Sequence, residues 1–137
     1  MDERLLDVFF YGLFMDEELL RAKGARATDI RLAVVQGFAL RIGERAALVP
    51  DSAGIVHGVV MKLSHLDIER LYAEPSVAAY RPEPVLATLT NGDAIAALCF
   101  NLPKAPSPDE RNTEYAAKLR TVAQRVGLPG EYVASIR

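Results

Sequence analysis

Apolar residues along this chain fall into short alternating runs bounded by glycine, proline and asparagine, and the pattern switches between strand and helix without a long linker. A first strand from Asp7 to Tyr11 runs through Tyr11-Gly12-Leu13-Phe14 into an acidic helix start, Met15-Asp16-Glu17-Glu18. Asp16 caps a helix over Glu17 to Lys23, with Met15 and Leu20 as a hydrophobic staple and Gly24 as the stop. Ile30 to Val35, Phe38 to Ile42, Ala46 to Val49 and Ile55 to Leu63 read as strands separated by Gly37, Gly43, Pro50-Asp51 and Gly54. Such closely spaced turns favour a meandering, mostly antiparallel sheet.

Ser64 and Asp67 form a capping box for a helix with Ile68, Leu71 and Tyr72 on one face, and Pro75 ends it. Val85 to Thr90 and Asp93 to Phe100 flank Asn91-Gly92, a strong hairpin signal. After a proline-stiffened loop, Ser107 as N-cap, Pro108 and Glu110 predict the start of a helix. Tyr115, Leu119, Val122, Ala123 and Val126 recur on it at helical spacing, and Gly127 stops it. A short final turn then carries Tyr132, Val133 and Ile136. A single domain over residues 1–137 is expected, and the length suffices for its own core.

Composition removes several function classes. Half the residues are apolar and the formal net charge is only −2, which argues against disorder and against a nucleic-acid partner. No segment reaches the length of a membrane span, and the start lacks a basic stretch followed by a long apolar run, so a cytoplasmic protein with no membrane partner is expected. Cys99, the single cysteine, lies in an apolar run and reads as a buried, unreactive thiol. His57 and His65 have no partner at metal-ligand spacing, so neither a metal nor another cofactor is expected. The serines lack the setting of a nucleophile elbow, and no glycine-rich phosphate loop is present.

Two features remain. At the first strand-to-helix junction, Gly12 lets the backbone turn tightly and aim N–H groups outward, where they could hold a carboxylate or an oxyanion. Glu74 precedes Pro75, which pushes it out of the helix into an extended loop and presents its carboxylate better than Glu69 on the helix face or Glu83 between prolines. From position alone Glu74 is a candidate among solvated glutamates.

The order of segments resembles the gamma-glutamylcyclotransferase-like family, which includes the gamma-glutamylamine cyclotransferases and AIG2-like proteins. The resemblance is carried by Phe9-Phe10-Tyr11-Gly12 with Met15-Asp16, then Gly37-Phe38-Ala39-Leu40-Arg41, then Val56-His57-Gly58-Val59-Val60 ahead of Leu66-Asp67. Tyr80-Arg81 and Val85 follow, and Tyr115 with Gly127-Leu128-Pro129-Gly130-Glu131-Tyr132 completes it. It implies an α+β fold, a small mixed, mostly antiparallel β-barrel with flanking helices and a pocket at one mouth. By the same resemblance the anion-binding turn maps onto Tyr11, Gly12, Leu13 and Phe14, the catalytic glutamate onto Glu74, and Tyr80 and Tyr115 line the pocket. Leu13 departs from the family's Ser or Thr, and Pro75 stands where glycine is usual.

The implied reaction is cyclisation of a small-molecule gamma-glutamyl amide. Its α-amine attacks its own side-chain carbonyl, giving 5-oxoproline and a free amine, with a desolvated Glu74 of raised pKa as general acid and base. The other readings are a non-catalytic small-molecule-binding member of the same fold and an interaction domain whose barrel mouth is filled. The leaving amine stays open, because its contacts fall to loops such as Arg41 to Arg45 or Lys104 to Pro108, and oligomeric state is not legible in the pattern.

Overall fold

The computed structural model describes residues 4–137. Its strands are β1 (Leu5–Phe10), β2 (Thr28–Ile42), β3 (Ala46–Ser64), β4 (Arg81–Leu89) and β5 (Ala94–Asn101). Its helices are α1 (Glu17–Ala22), α2 (His65–Tyr72), α3 (Thr113–Val126) and α4 (Gly130–Ser135), with 3-10 turns at Leu13–Met15 and Pro75–Val77. The strands form a closed barrel in the order β1-β3-β2-β4-β5. Every pairing is antiparallel except the seam, where Val8 and Phe9 of β1 run parallel to Leu98 and Cys99 of β5. The mixed, mostly antiparallel barrel expected from the sequence is therefore the fold observed.

Alternation along the strands divides the core in two. Even positions of β3 such as Val56 and Val60 join Phe9, Tyr11, Val35, Ala87 and Cys99 in one apolar cluster. Odd positions, Val59, Met61 and Leu63, join Val8 and Phe10 against Leu20, Ile68, Leu71 and Leu119 of the helices. A strand buried on both faces in this way reads as a near-continuous apolar run, as β3 does from Ile55 to Leu63. Cys99 is fully buried, and burial pushes its thiol up to about 12.

Two expected breaks are bends instead. The predicted strand pairs on either side of Gly37 and of Pro50 to Gly54 are continuous as β2 and β3, paired from Thr28↔Lys62 to Ile42↔Ala46. Gly37 has φ +89, and the register shifts there, with Gln36 opposite Ile55 but Phe38 opposite Pro50. The turn residues were read as ends because a bulge uses the same left-handed glycine as a loop does. The far half of this long hairpin is redirected, and its tip at Gly43 to Arg45 is held by a hydrogen bond from Asn112 Nδ2 to the Glu44 carbonyl, 2.8 Å.

The predicted start of the third helix is also corrected. Ser107 and Glu110 do engage each other, the Ser107 amide donating to the Glu110 carboxylate, but they close an isolated turn. Helix α3 begins at Thr113, capped by Asn112, whose Oδ1 accepts from the Tyr115 amide at 3.0 Å. Residues 108–112 offer no apolar side chain to bury beyond Pro108, and a helical turn without tertiary packing is marginal. The other caps agree with the sequence reading: Asp16 accepts from Glu18, Ser64 from Asp67, and Gly127 ends α3 in the left-handed region.

Candidate active site

The ends of β1 and β5 and the starts of β3 and β4 meet at one mouth of the barrel, around a hollow of about 240 Å³. Its size is below the ~300–1,000 Å³ usual for drug-sized ligands and fits an amino-acid-sized group. One wall is the turn after β1. Gly12 is extended, and the 3-10 turn that follows uses the amides of Met15 and Asp16 internally, donating to the Gly12 and Leu13 carbonyls at 3.0 and 3.1 Å. The amides of Leu13 and Phe14 open that turn without a partner inside it, and the Leu13 amide faces the Tyr115 hydroxyl. A Cβ at Gly12 would crowd the Tyr115 hydroxyl at 3.1 Å.

Glu74 lines the same hollow. Its backbone, at φ −65 and ψ 138, is in the extended region that a following proline enforces, and Pro75 opens the next 3-10 turn. The departure from glycine thus fixes the residue before it. The carboxylate does not sit in the desolvated apolar setting expected from the sequence. Lys23 Nζ donates to both its oxygens at 2.8 and 2.7 Å, with the side chains 27% and 40% exposed. Lys23 is the C-cap of α1, and the left-handed Gly24 behind it turns the chain so that Lys23 lines the hollow.

Aromatic groups close the floor. Tyr72 stacks on Phe100 with ring centroids 4.0 Å apart and meets Phe14 edge-on at 5.6 Å. Tyr11 lies in the buried cluster, its hydroxyl donating to the Phe100 carbonyl at 2.8 Å, so its side chain is committed to the core. The Tyr80 hydroxyl donates to the Ala46 carbonyl and ties the start of β3 to the pocket rim. Burial raises the phenol pKa of Tyr11, Tyr80 and Tyr115; at Tyr115 the amides of Leu13 and Ala46 pull the other way, and the Arg45 charge opposes the rise at both Tyr80 and Tyr115. These phenols stay neutral, as hydrogen-bonding groups, across physiological pH.

The family described as gamma-glutamyl cyclotransferase, AIG2-like, matches residues 8–118 of the chain. The chain belongs to that family. A solved gamma-glutamyl cyclotransferase superposes with a TM-score of 0.79 at 21% identity, covering 98% of this chain and 89% of that one. An uncharacterised protein from Homo sapiens gives 0.78 at 22% identity, with 98% and 89% covered. YkqA from Bacillus subtilis gives 0.79 at 21% identity, with 96% of this chain and 52% of that longer one. At such identities the likeness is one of fold. Among curated proteins none matches the chain by sequence.

The residues that the resemblance assigned to the site, Tyr11, Gly12, Leu13, Phe14, Glu74, Tyr80 and Tyr115, line this hollow together. Sequence reasoning missed Lys23, Tyr72, Ser76 and Phe100 as lining groups. A lysine at a helix end is an ordinary dipole partner, and nothing local pairs it with a carboxylate 51 positions away. His57 and His65 lie elsewhere: His57 packs on the Tyr132 ring at 4.7 Å, where burial lowers its pKa, and His65 is exposed at the start of α2.

Proposed function

We propose that the protein is a gamma-glutamyl cyclotransferase that converts a gamma-glutamyl amide to 5-oxoproline and a free amine, with Glu74 as general acid and base. The observation that carries this reading is that a carboxylate and an amide-bearing turn line one small hollow in a chain of this family.

The substrate supplies proximity itself, because a folded gamma-glutamyl group brings its α-nitrogen to its own γ-carbonyl in five-membered geometry. The nitrogen arrives as an ammonium, which Glu74 deprotonates. Its lone pair then attacks the γ-carbon and negative charge collects on the carbonyl oxygen; the bond to the leaving nitrogen breaks as that nitrogen takes the proton from Glu74, and the ring nitrogen passes its second proton through the freed carboxylate to the departing amine, which leaves as an ammonium. The backbone donors of this turn, the Phe14 amide directly and the Leu13 amide through the Tyr115 hydroxyl it faces, serve the substrate's α-carboxylate or the developing oxyanion. Loss of the hydroxyl at Leu13 leaves these backbone donors in place. A carboxylate has about four lone-pair sites, so bidentate contact with Lys23 leaves room for the substrate ammonium.

A second reading keeps the pocket without turnover, and the occupation of both Glu74 oxygens by Lys23 is what favours it. Incubation with a panel of gamma-glutamyl amines and dipeptides, measuring 5-oxoproline, decides between the two. Wild type should convert at least one compound, and Glu74→Gln should lower its kcat/KM about a hundredfold or more. Ligand-induced thermal stabilisation without product supports the binding module, and equal turnover by wild type and Glu74→Gln removes Glu74 from the chemistry.

A further inference from the structure

The hollow continues outward into a second groove of about 690 Å³, and the two share Arg45, Ser76 and Tyr80 at their junction. Arg45 is half-buried there. It is carried by the tip of the β2–β3 hairpin, whose position is fixed by Asn112 on the Glu44 carbonyl and by Tyr80 on the Ala46 carbonyl. Among the described residues the guanidinium has no carboxylate within ion-pair distance and donates no hydrogen bond. It lines both the inner hollow and the outer groove, beside Tyr80. A half-buried planar cation with five unmet donors is a ready-made carboxylate site.

We propose that Arg45 reads a carboxylate on the leaving amine, so that the preferred substrates are gamma-glutamyl amino acids or peptides rather than gamma-glutamyl polyamines or neutral amines. This rests on the cyclotransferase reading for the identity of the gamma-glutamyl half. The α-carboxylate of that half belongs with the turn amides at Leu13 and Phe14, which line only the inner hollow, whereas Arg45 stands where the group beyond the scissile bond must pass. Lys104 adds a second cation to the outer groove. Of the acids lining it, Glu110 is engaged by the Ser107 amide and the exposed Glu44 lies beside Arg45 in the hairpin tip without forming an ion pair with it.

The test uses gamma-glutamyl-alanine and gamma-glutamyl-alaninamide, which differ only in whether the leaving amine carries a charge. Calorimetric Kd and 5-oxoproline release are both measured for wild type, Arg45→Gln and Arg45→Lys. A charge-assisted bidentate contact predicts that wild type favours the carboxylate compound by about tenfold to a hundredfold, that Arg45→Gln brings the ratio to about one, and that Arg45→Lys keeps part of it. Carboxylate-selective binding without product upholds the role of Arg45 and refutes cyclisation. Turnover with no preference, or a preference unchanged in Arg45→Gln, overturns the inference and leaves cyclisation standing. Equal weakening of both compounds in Arg45→Gln also overturns it, by assigning the guanidinium to the shared α-carboxylate. No binding of either compound refutes both.

Discussion

Removing the ammonium from Glu74 by Lys23→Met separates the orientation of the carboxylate from its presence. The pair is bidentate at 2.7 and 2.8 Å but its side chains are 27% and 40% exposed, so solvent screens much of the attraction. Exposed ion pairs contribute ~0.2–1 kcal/mol, and this geometry belongs near the upper end, about 1 kcal/mol. With an unfolding entropy of roughly 0.3 kcal/mol/K for a chain of 137 residues, each single substitution should lower Tm by about 3 °C. A double-mutant cycle of Lys23→Met and Glu74→Gln, read by thermal or urea unfolding, should return a coupling of about 0.5–1 kcal/mol. On the proposed reaction the two should differ: Glu74→Gln should lose the base, about a hundredfold or more, whereas Lys23→Met would retain a base with freer rotamers and should lose about tenfold in kcat. Zero coupling would show the contact to be incidental to the fold, and wild-type kcat in Lys23→Met would show it to be incidental to the chemistry.

Gly58→Ala places a Cβ 2.2 Å from the Phe10 carbonyl oxygen and 2.8 Å from the Phe9 ring, so β1 must move; a loss of about 2–3 kcal/mol by urea unfolding is expected, and a neutral result would contradict the close approach of β1 to β3. Burial lowers the pKa of His57 from its ordinary 6.5, so the unfolded chain binds a proton more readily; the contribution is complete above pH 6.5 and fades as pH falls toward the folded value, and His57→Gln should flatten Tm over that window. Cys99, fully buried with its thiol pushed up to about 12, should resist iodoacetamide in the native protein and label fully in urea; labelling at the rate of a free thiol would contradict its place in the barrel.

What could be read from residues and what could not follow from the range of the interactions. Asp16, Ser64, Asn91-Gly92 and Gly127 act within a few positions, and each does in the structure what local chemistry dictates. Gly37 is ambiguous because a left-handed glycine serves a loop and a bulge equally, and only the pairing of Gln36 with Ile55 distinguishes them. Ser107-Pro108 carries a sound start signal for a helix that packing does not support, and tertiary context overrides it. At the candidate site, Glu74 and the Gly12 turn were legible through local backbone restriction, and their meeting followed from the family resemblance. Lys23 against Glu74 and Asn101, whose side chain pairs with the Leu48 amide and carbonyl at 2.9 Å, span 51 and 53 positions and leave no trace in spacing.

The bend at Gly37 has a bearing on how such a protein could diversify. The wall that would perform chemistry comes from the segments around Lys23 and residue 74, while the wall that would choose the departing group is the tip of one hairpin, attached beyond a register shift in its two strands. Altering the length or charge of that tip would retune preference while leaving the reacting wall untouched, so new substrates become accessible through one short insertion instead of concerted change across the barrel.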